Sequence, residues 1–183
     1  MPMLRDQGAV LMDAGAIYGR RIGGGLFSEV FAMPDGKVMK VCRSIDGTYW
    51  WLKYAHTLTL AGVSRPMVPV VYELVRVDYM GRSGYVAIME RYECAKDYIA
   101  DLGLGNDDDS LDEWLHGWRG AMRDFDAWCA SVGVGKVPFN DLHHGNVMFN
   151  ADDDWVITDP SSVGGDMDMA DTTENFLKGF YEH

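Results

Sequence analysis

No stretch of this chain approaches the roughly 20 consecutive apolar residues that a membrane-spanning helix requires, and its opening segment MPMLRDQ has no apolar core of the kind a secretory signal carries. A soluble, intracellular protein with no membrane partner is the expectation. Cysteine is scarce. Cys42, Cys94 and Cys129 are odd in number and widely spaced, with no C-x-x-C pair, which favours buried thiols over disulfides or zinc ligands. Basic residues are also few, 16 Lys and Arg against 28 Asp and Glu, for a formal net charge of -12. Such a chain repels phosphate backbones and has no local basic patch, so nucleic acid is not an expected partner. The acidity suits solubility, or attraction to a basic partner. A Walker G-x-x-x-x-G-K-[ST] run and a G-x-S-x-G elbow are both missing, which removes P-loop and serine-hydrolase chemistry. His143 and His144 have no Cys or third His at ligand spacing, which argues against zinc. Asp166, Asp168 and Asp171 lack the glycine and terminal glutamate of a calcium loop.

What the chain does have is 48% hydrophobic residues, six Trp among them, enough to bury one core or two small packed lobes. Tyr18 to Ile22, Phe27 to Met33 and Lys37 to Val41 read as an antiparallel meander with a glycine-rich first turn and Pro34-Asp35-Gly36 in the second. Residues 46 to 61 read as a helix, with Tyr49, Leu52 and Leu60 on one side and Trp51, Ala55 and Leu58 on another. Met67 to Val77 and Tyr85 to Glu90, separated by Gly81 and Gly84, predict a second hairpin. The Asp-rich stretch 101 to 109 reads as a solvated linker. Ser110 and Glu113 form a capping box at the head of Leu111, Trp114, Leu115, Trp118, Met122, Phe125, Cys129 and Val132, which recur at helical spacing. Gly133, Gly135 and Pro138 stop that helix. Val147 to Phe149 and Trp155 to Thr158 predict two short strands, and the tail from Asp171 a last short helix.

Gly23-Gly24-Gly25-Leu26-Phe27-Ser28-Glu29-Val30 fits G-x-G-x-x-G-x-V with Ser28 in place of the third glycine. Glycines between two strands let backbone amides approach a triphosphate, although a plain flexible turn has the same composition. In Val38-Met39-Lys40 the lysine shares a strand face with Val38, where it can reach phosphates or stand as an exposed charge that discourages edge pairing.

Together GGGLFSEVF, VMKV, DLHHGNVMFN and ITDPSS resemble the serine/threonine protein kinases of T7-like bacteriophages, within the protein-kinase-like superfamily, over roughly Ile22 to Ser162. The resemblance implies an α+β, two-lobed protein-kinase-like fold. Residues 1–93 would form a five-stranded antiparallel N-lobe with one helix, and residues 94–183 a reduced helical C-lobe. It implies ATP and magnesium as cofactors and transfer to host proteins in the cytoplasm of an infected bacterium. Asp141 would be the catalytic base, and Asn146 and Asp159 the magnesium ligands. Lys40 and the loop carrying Gly23, Gly24, Gly25 and Ser28 would hold the phosphates. His143 would stabilise the transferring phosphoryl group or hydrogen-bond its own loop. Ile22, Val30 and Val38 would lie against the adenine, and Met89, Glu90 and Tyr92, in the 89–93 segment, would meet its edge.

Several residues depart from the pattern. Phe139 and Asn140 stand where His-Arg is usual, the helix at 46–61 has no glutamate to pair Lys40, and no Ala-Pro-Glu segment follows Asp159. The Asp-Leu-His-x-Gly-Asn loop is similar to that of aminoglycoside and choline kinases, which leaves a small-molecule hydroxyl kinase open. Ser28 and the missing glutamate leave open a pseudokinase that binds a host protein. The substrate and the oligomeric state are not legible in the sequence.

Overall fold

In the computed structural model the described residues are 20–24, 28–79, 82–94, 108–138 and 146–161. They form an α+β structure whose contacts gather into two compact units, one holding the described residues of Met1–Ile45 and Tyr72–Glu90, the other those of Asp46–Val71 and Arg91–Val163. No described helix is long and apolar enough to cross a membrane.

The first unit is a five-stranded sheet in the order β1-β2-β3-β5-β4, with β1 at Arg21–Gly24, β2 at Ser28–Ala32, β3 at Val38–Cys42, β4 at Val71–Tyr79 and β5 at Arg82–Met89. The β2–β3 turn follows its sequence: Asp35 accepts from the Lys37 amide at 3.2 Å, and Gly36 takes the positive φ of 83° that glycine tolerates. Phe31, Met39, Val41, Val77, Val86 and Ile88 pack into this unit's core. The sequence puts the start of β4 at Met67, but the strand begins at Val71. Pro66 and Pro69 interrupt the approach, and Met67 sits at φ 63° with its carbonyl accepting from the Ile157 amide at 2.9 Å. Gly84, expected in the turn, lies within β5.

The second unit holds α1 (Gly47–Leu60), α2 (Asp108–Ser131) and a three-stranded sheet β6-β7-β8, made of Glu93–Cys94, Val147–Phe149 and Trp155–Ile157. Helix α1 therefore has its contacts with this unit, although chain order puts it among the strands of the first. Asp46 caps α1 by accepting from the Tyr49 amide at 3.1 Å. Its threonines are accommodated because Thr57 and Thr59 donate back to the carbonyls of Lys53 and Ala55 at 2.9 and 3.0 Å. Gly62, at φ 67°, ends the helix, and Leu60, expected on an apolar face, is 73% exposed.

Helix α2 begins at Asp108, two residues before the expected capping Ser110, so Ser110 lies inside the first turn. Acidic residues are themselves favoured there by the helix dipole. Trp51 stacks edge-on against Phe125 of α2 at 5.4 Å between centroids, and Tyr54 lies 5.6 Å from both Phe125 and Trp128. The indole of Trp51 donates to the Ile157 carbonyl at 2.8 Å, tying α1 to the end of β8. Strand β6, two residues long and paired with β7, had no signature in the sequence.

Candidate functional site

In the first unit, β1 pairs with β2 through a register shift between Arg21 and Gly23, so that Gly23 faces Val30 and Gly24 faces Glu29. A Cβ on Gly24 would stand 2.9 Å from the Ser28 carbonyl oxygen, so the hairpin's own backbone requires glycine at that position. A Cβ on Gly23 would make only ordinary contact, 3.9 Å from Val30 Cβ. Arg21 and Glu29 pair across the two strands at 3.1 Å, and Ile22 is 41% exposed. Gly25 lies outside the described residues.

Lys40 occupies the middle of the central strand, opposite Val30 on one side and Ala87 on the other. Directly opposed residues share a face of an antiparallel sheet. The register therefore lines up Ser28, Val30, Val38, Lys40, Ala87 and Met89 on one face, while Phe31, Met39, Val41, Val86 and Ile88 take the core face. Lys40 is only 5% exposed. That excludes the exposed edge charge considered from the sequence, because burying an ammonium is costly unless acceptors meet it. Val38, Met89 and Ser28 are buried with it. Past the end of β5, Glu90 is half-buried. In the second unit, Tyr92 is fixed through its hydroxyl, which accepts from the Val70 amide at 2.7 Å.

The second unit carries the two expected magnesium ligands at one end of the β7–β8 hairpin. Val147 pairs with Ile157, so Asn146 and Thr158 are the next residues beyond the ladder, and the Thr158 amide donates to the Asn146 carbonyl at 3.0 Å. Asp159 follows directly. The far end of the hairpin is set by Asn150, whose side-chain oxygen accepts from the amides of Asp152 and Asp154 at 2.9 and 2.8 Å.

Asp159 is held by a residue the sequence reading missed. Thr48, in the first turn of α1 and fully buried, donates to Asp159 Oδ1 at 2.6 Å. The same hydroxyl lies 2.8 Å from the Ser161 carbonyl oxygen and accepts from the Ser161 amide at 3.3 Å. Its neighbour Gly47 lets the helix start come this close, since a Cβ there would overlap Ser161 Oγ and stand 2.6 Å from Ser161 Cβ and 2.8 Å from Val137 Cγ1. The one local signal for this contact was the pair of small residues, Gly-Thr, directly after the Asp46 cap.

Asp141 and His143, expected to perform and support the chemistry, lie outside the described residues. Among the described residues no group of three or more His, Cys, Asp and Glu side chains is arranged to hold a metal ion. The expected set is different in kind: one carboxylate and one carboxamide, hard oxygen donors of the type magnesium accepts when phosphates and water complete its shell. Compared with protein-family models and with curated proteins, the chain finds no match.

Proposed function

We propose that this chain is an ATP- and magnesium-dependent phosphotransferase with a two-lobed, protein-kinase-like fold, and that it acts on serine or threonine hydroxyls of host proteins. The observation that carries the reading is Lys40, buried in the central strand and aligned on one sheet face with Val30, Val38 and Met89. A lysine set among these apolar side chains suits a nucleotide, whose base is flat and apolar and whose tail is anionic. The hairpin that carries Asn146 and Asp159 at one end supports the same reading, because those residue types supply oxygen donors for magnesium.

In this reading Lys40 and the β1–β2 turn hold the phosphates, and Val30, Val38 and Met89 hold the base. Asn146 and Asp159 hold the metal, and Asp141 orients the acceptor hydroxyl and takes its proton. Bound ATP supplies the phosphoryl group, and magnesium neutralises charge on its phosphates. The protein's own contribution is positional and electrostatic. The loop Asp-Leu-His-His-Gly-Asn at 141–146 favours a second reading, transfer to a small hydroxyl compound.

Incubation with radiolabelled ATP, magnesium and bacterial lysate separates these readings. Labelled proteins that disappear with Asp141→Asn are the expected result. Label in small metabolites supports the second reading. Absence of both transfer and magnesium-dependent thermal stabilisation by ATP ends the nucleotide reading, whereas stabilisation without transfer points to a pseudokinase.

A further inference from the structure

We propose that Thr48 is a positioning residue for Asp159, its buried hydroxyl fixing one carboxylate oxygen so that the carboxylate is oriented for a divalent cation. The inference rests on the reading of Asp159 as a metal ligand and adds a residue from a distant part of the chain. Thr48 donates to Asp159 Oδ1 at 2.6 Å from a side chain with no exposure, so bulk water does not replace it. A hydroxyl carries one proton. Here the Ser161 amide donates to the hydroxyl oxygen at 3.3 Å while the Asp159 carboxylate, the charged acceptor, makes the shortest contact. The Ser161 carbonyl oxygen, 2.8 Å away, is a second acceptor for the same proton, and the charged and closer carboxylate is the stronger of the two.

The surroundings fix this arrangement from both ends. Gly47 allows the first turn of α1 to press on Ser161, and Trp51, one turn further on, anchors the same helix to the Ile157 carbonyl at 2.8 Å. Asp159 lies between those two anchor points in the chain. A carboxylate oriented by an outer hydrogen bond binds metal better than one free to rotate, and removal of such partners typically costs about 10- to 100-fold in metal affinity.

The test uses Mn2+ titrated alone into the full chain, with free Mn2+ read by electron paramagnetic resonance, and ATP binding measured separately in EDTA. Thr48→Val, which keeps the shape and removes the hydroxyl, is expected to weaken Mn2+ binding about tenfold or more while ATP binding without metal stays within about threefold. Thr48→Ser is expected to restore Mn2+ binding to within about threefold of the natural chain. Circular dichroism checks each fold, and Thr48→Ala replaces the valine variant if that one does not fold. Asp159→Asn separates the two levels of the argument. If it abolishes Mn2+ binding while Thr48→Val does not weaken it, the positioning role is overturned and the metal site stands. If Asp159→Asn binds Mn2+ as the natural chain does, the metal reading and the inference fall together. A tenfold loss with Thr48→Ser also overturns the role of the hydroxyl.

Discussion

Replacing Gly47 by alanine sets two physical effects against each other. Gly47 is the first residue of α1, and its backbone is not in the left-handed region, so alanine meets no conformational strain. Helix propensity alone therefore favours the substitution, by at most about 1 kcal/mol. Packing opposes it. The new Cβ would stand 2.6 Å from Ser161 Cβ and 2.8 Å from Val137 Cγ1, separations that Cβ atoms do not adopt. Ser161 is fully buried and held through its amide by Thr48, so it has nowhere to go without breaking that contact. Overpacking of this kind costs about 1–3 kcal/mol, and loss of one buried hydrogen bond adds about 1 kcal/mol.

The net expectation is a destabilisation of about 2 kcal/mol, which for a chain of this size lowers the melting temperature by about 4–8 °C. Gly120, in the interior of α2, supplies the control because a Cβ there meets nothing within 4 Å. Gly120→Ala should raise the melting temperature by about 2–4 °C through propensity alone. Both variants are read by thermal unfolding followed by circular dichroism at one scan rate. The packing argument is refuted if Gly47→Ala melts at or above the natural chain, because propensity would then be the larger effect at the start of α1.

Trp51→Phe keeps an aromatic ring against Phe125 but removes the donor to the Ile157 carbonyl, and should cost about 1–3 kcal/mol in urea denaturation; an unchanged midpoint would count against that bond. Lys40→Met should lose most of the magnesium-dependent stabilisation by ATP, about 2.7 kcal/mol for the natural chain at 100 times the dissociation constant, and a thermal shift equal to that of the natural chain would remove the lysine from the site. Burial, with Asp126 nearby as a lesser cause, pushes the Cys129 thiol up from 9.0 to about 11. The folded state therefore holds that proton more tightly than the unfolded chain, so this group's contribution makes stability fall as pH rises from about 9 to about 11. Iodoacetamide at pH 8 should modify the exposed Cys94 first, with Cys42 and Cys129 reacting only on unfolding, as mass spectrometry of the labelled peptides will show.

The sequence was legible where structure is local. Asp46 and Gly62 bound α1 within a residue of the expected span, and the apolar spacing from Trp118 to Cys129 traced α2. The two strands around Ala151–Asp154 were visible because Asn150 builds that turn from its own neighbours. Failures came where a distant partner decides. Met67 reads as the start of a strand, yet two prolines and a bond to Ile157 draw it away from the first sheet. Strand β6 exists because β7 lies beside it. Lys40 was readable as strand but not as buried, since burial depends on what β2 and β5 place alongside it. The role of Thr48 was barely signalled for the same reason, as its partners lie 111 and 113 positions away.

Helix α1, in which the sequence showed no glutamate, spends its first turns on contacts with residues 157–161. Gly47 and Thr48 are neighbours, and Trp51 lies four and three positions beyond them, which brings all three to one side of α1. All three are engaged with residues 157–161: the missing side chain of Gly47 against Ser161, the hydroxyl of Thr48 on Asp159, and the indole of Trp51 on the Ile157 carbonyl. A glutamate on that face would displace one of these contacts and set a second carboxylate beside Asp159. Like charges at that range raise the cost of keeping both ionised. The face instead presents a neutral hydroxyl, which donates to a carboxylate without competing for its charge. The packing of α1 against residues 157–161 therefore leaves no place for a glutamate at positions 47, 48 or 51.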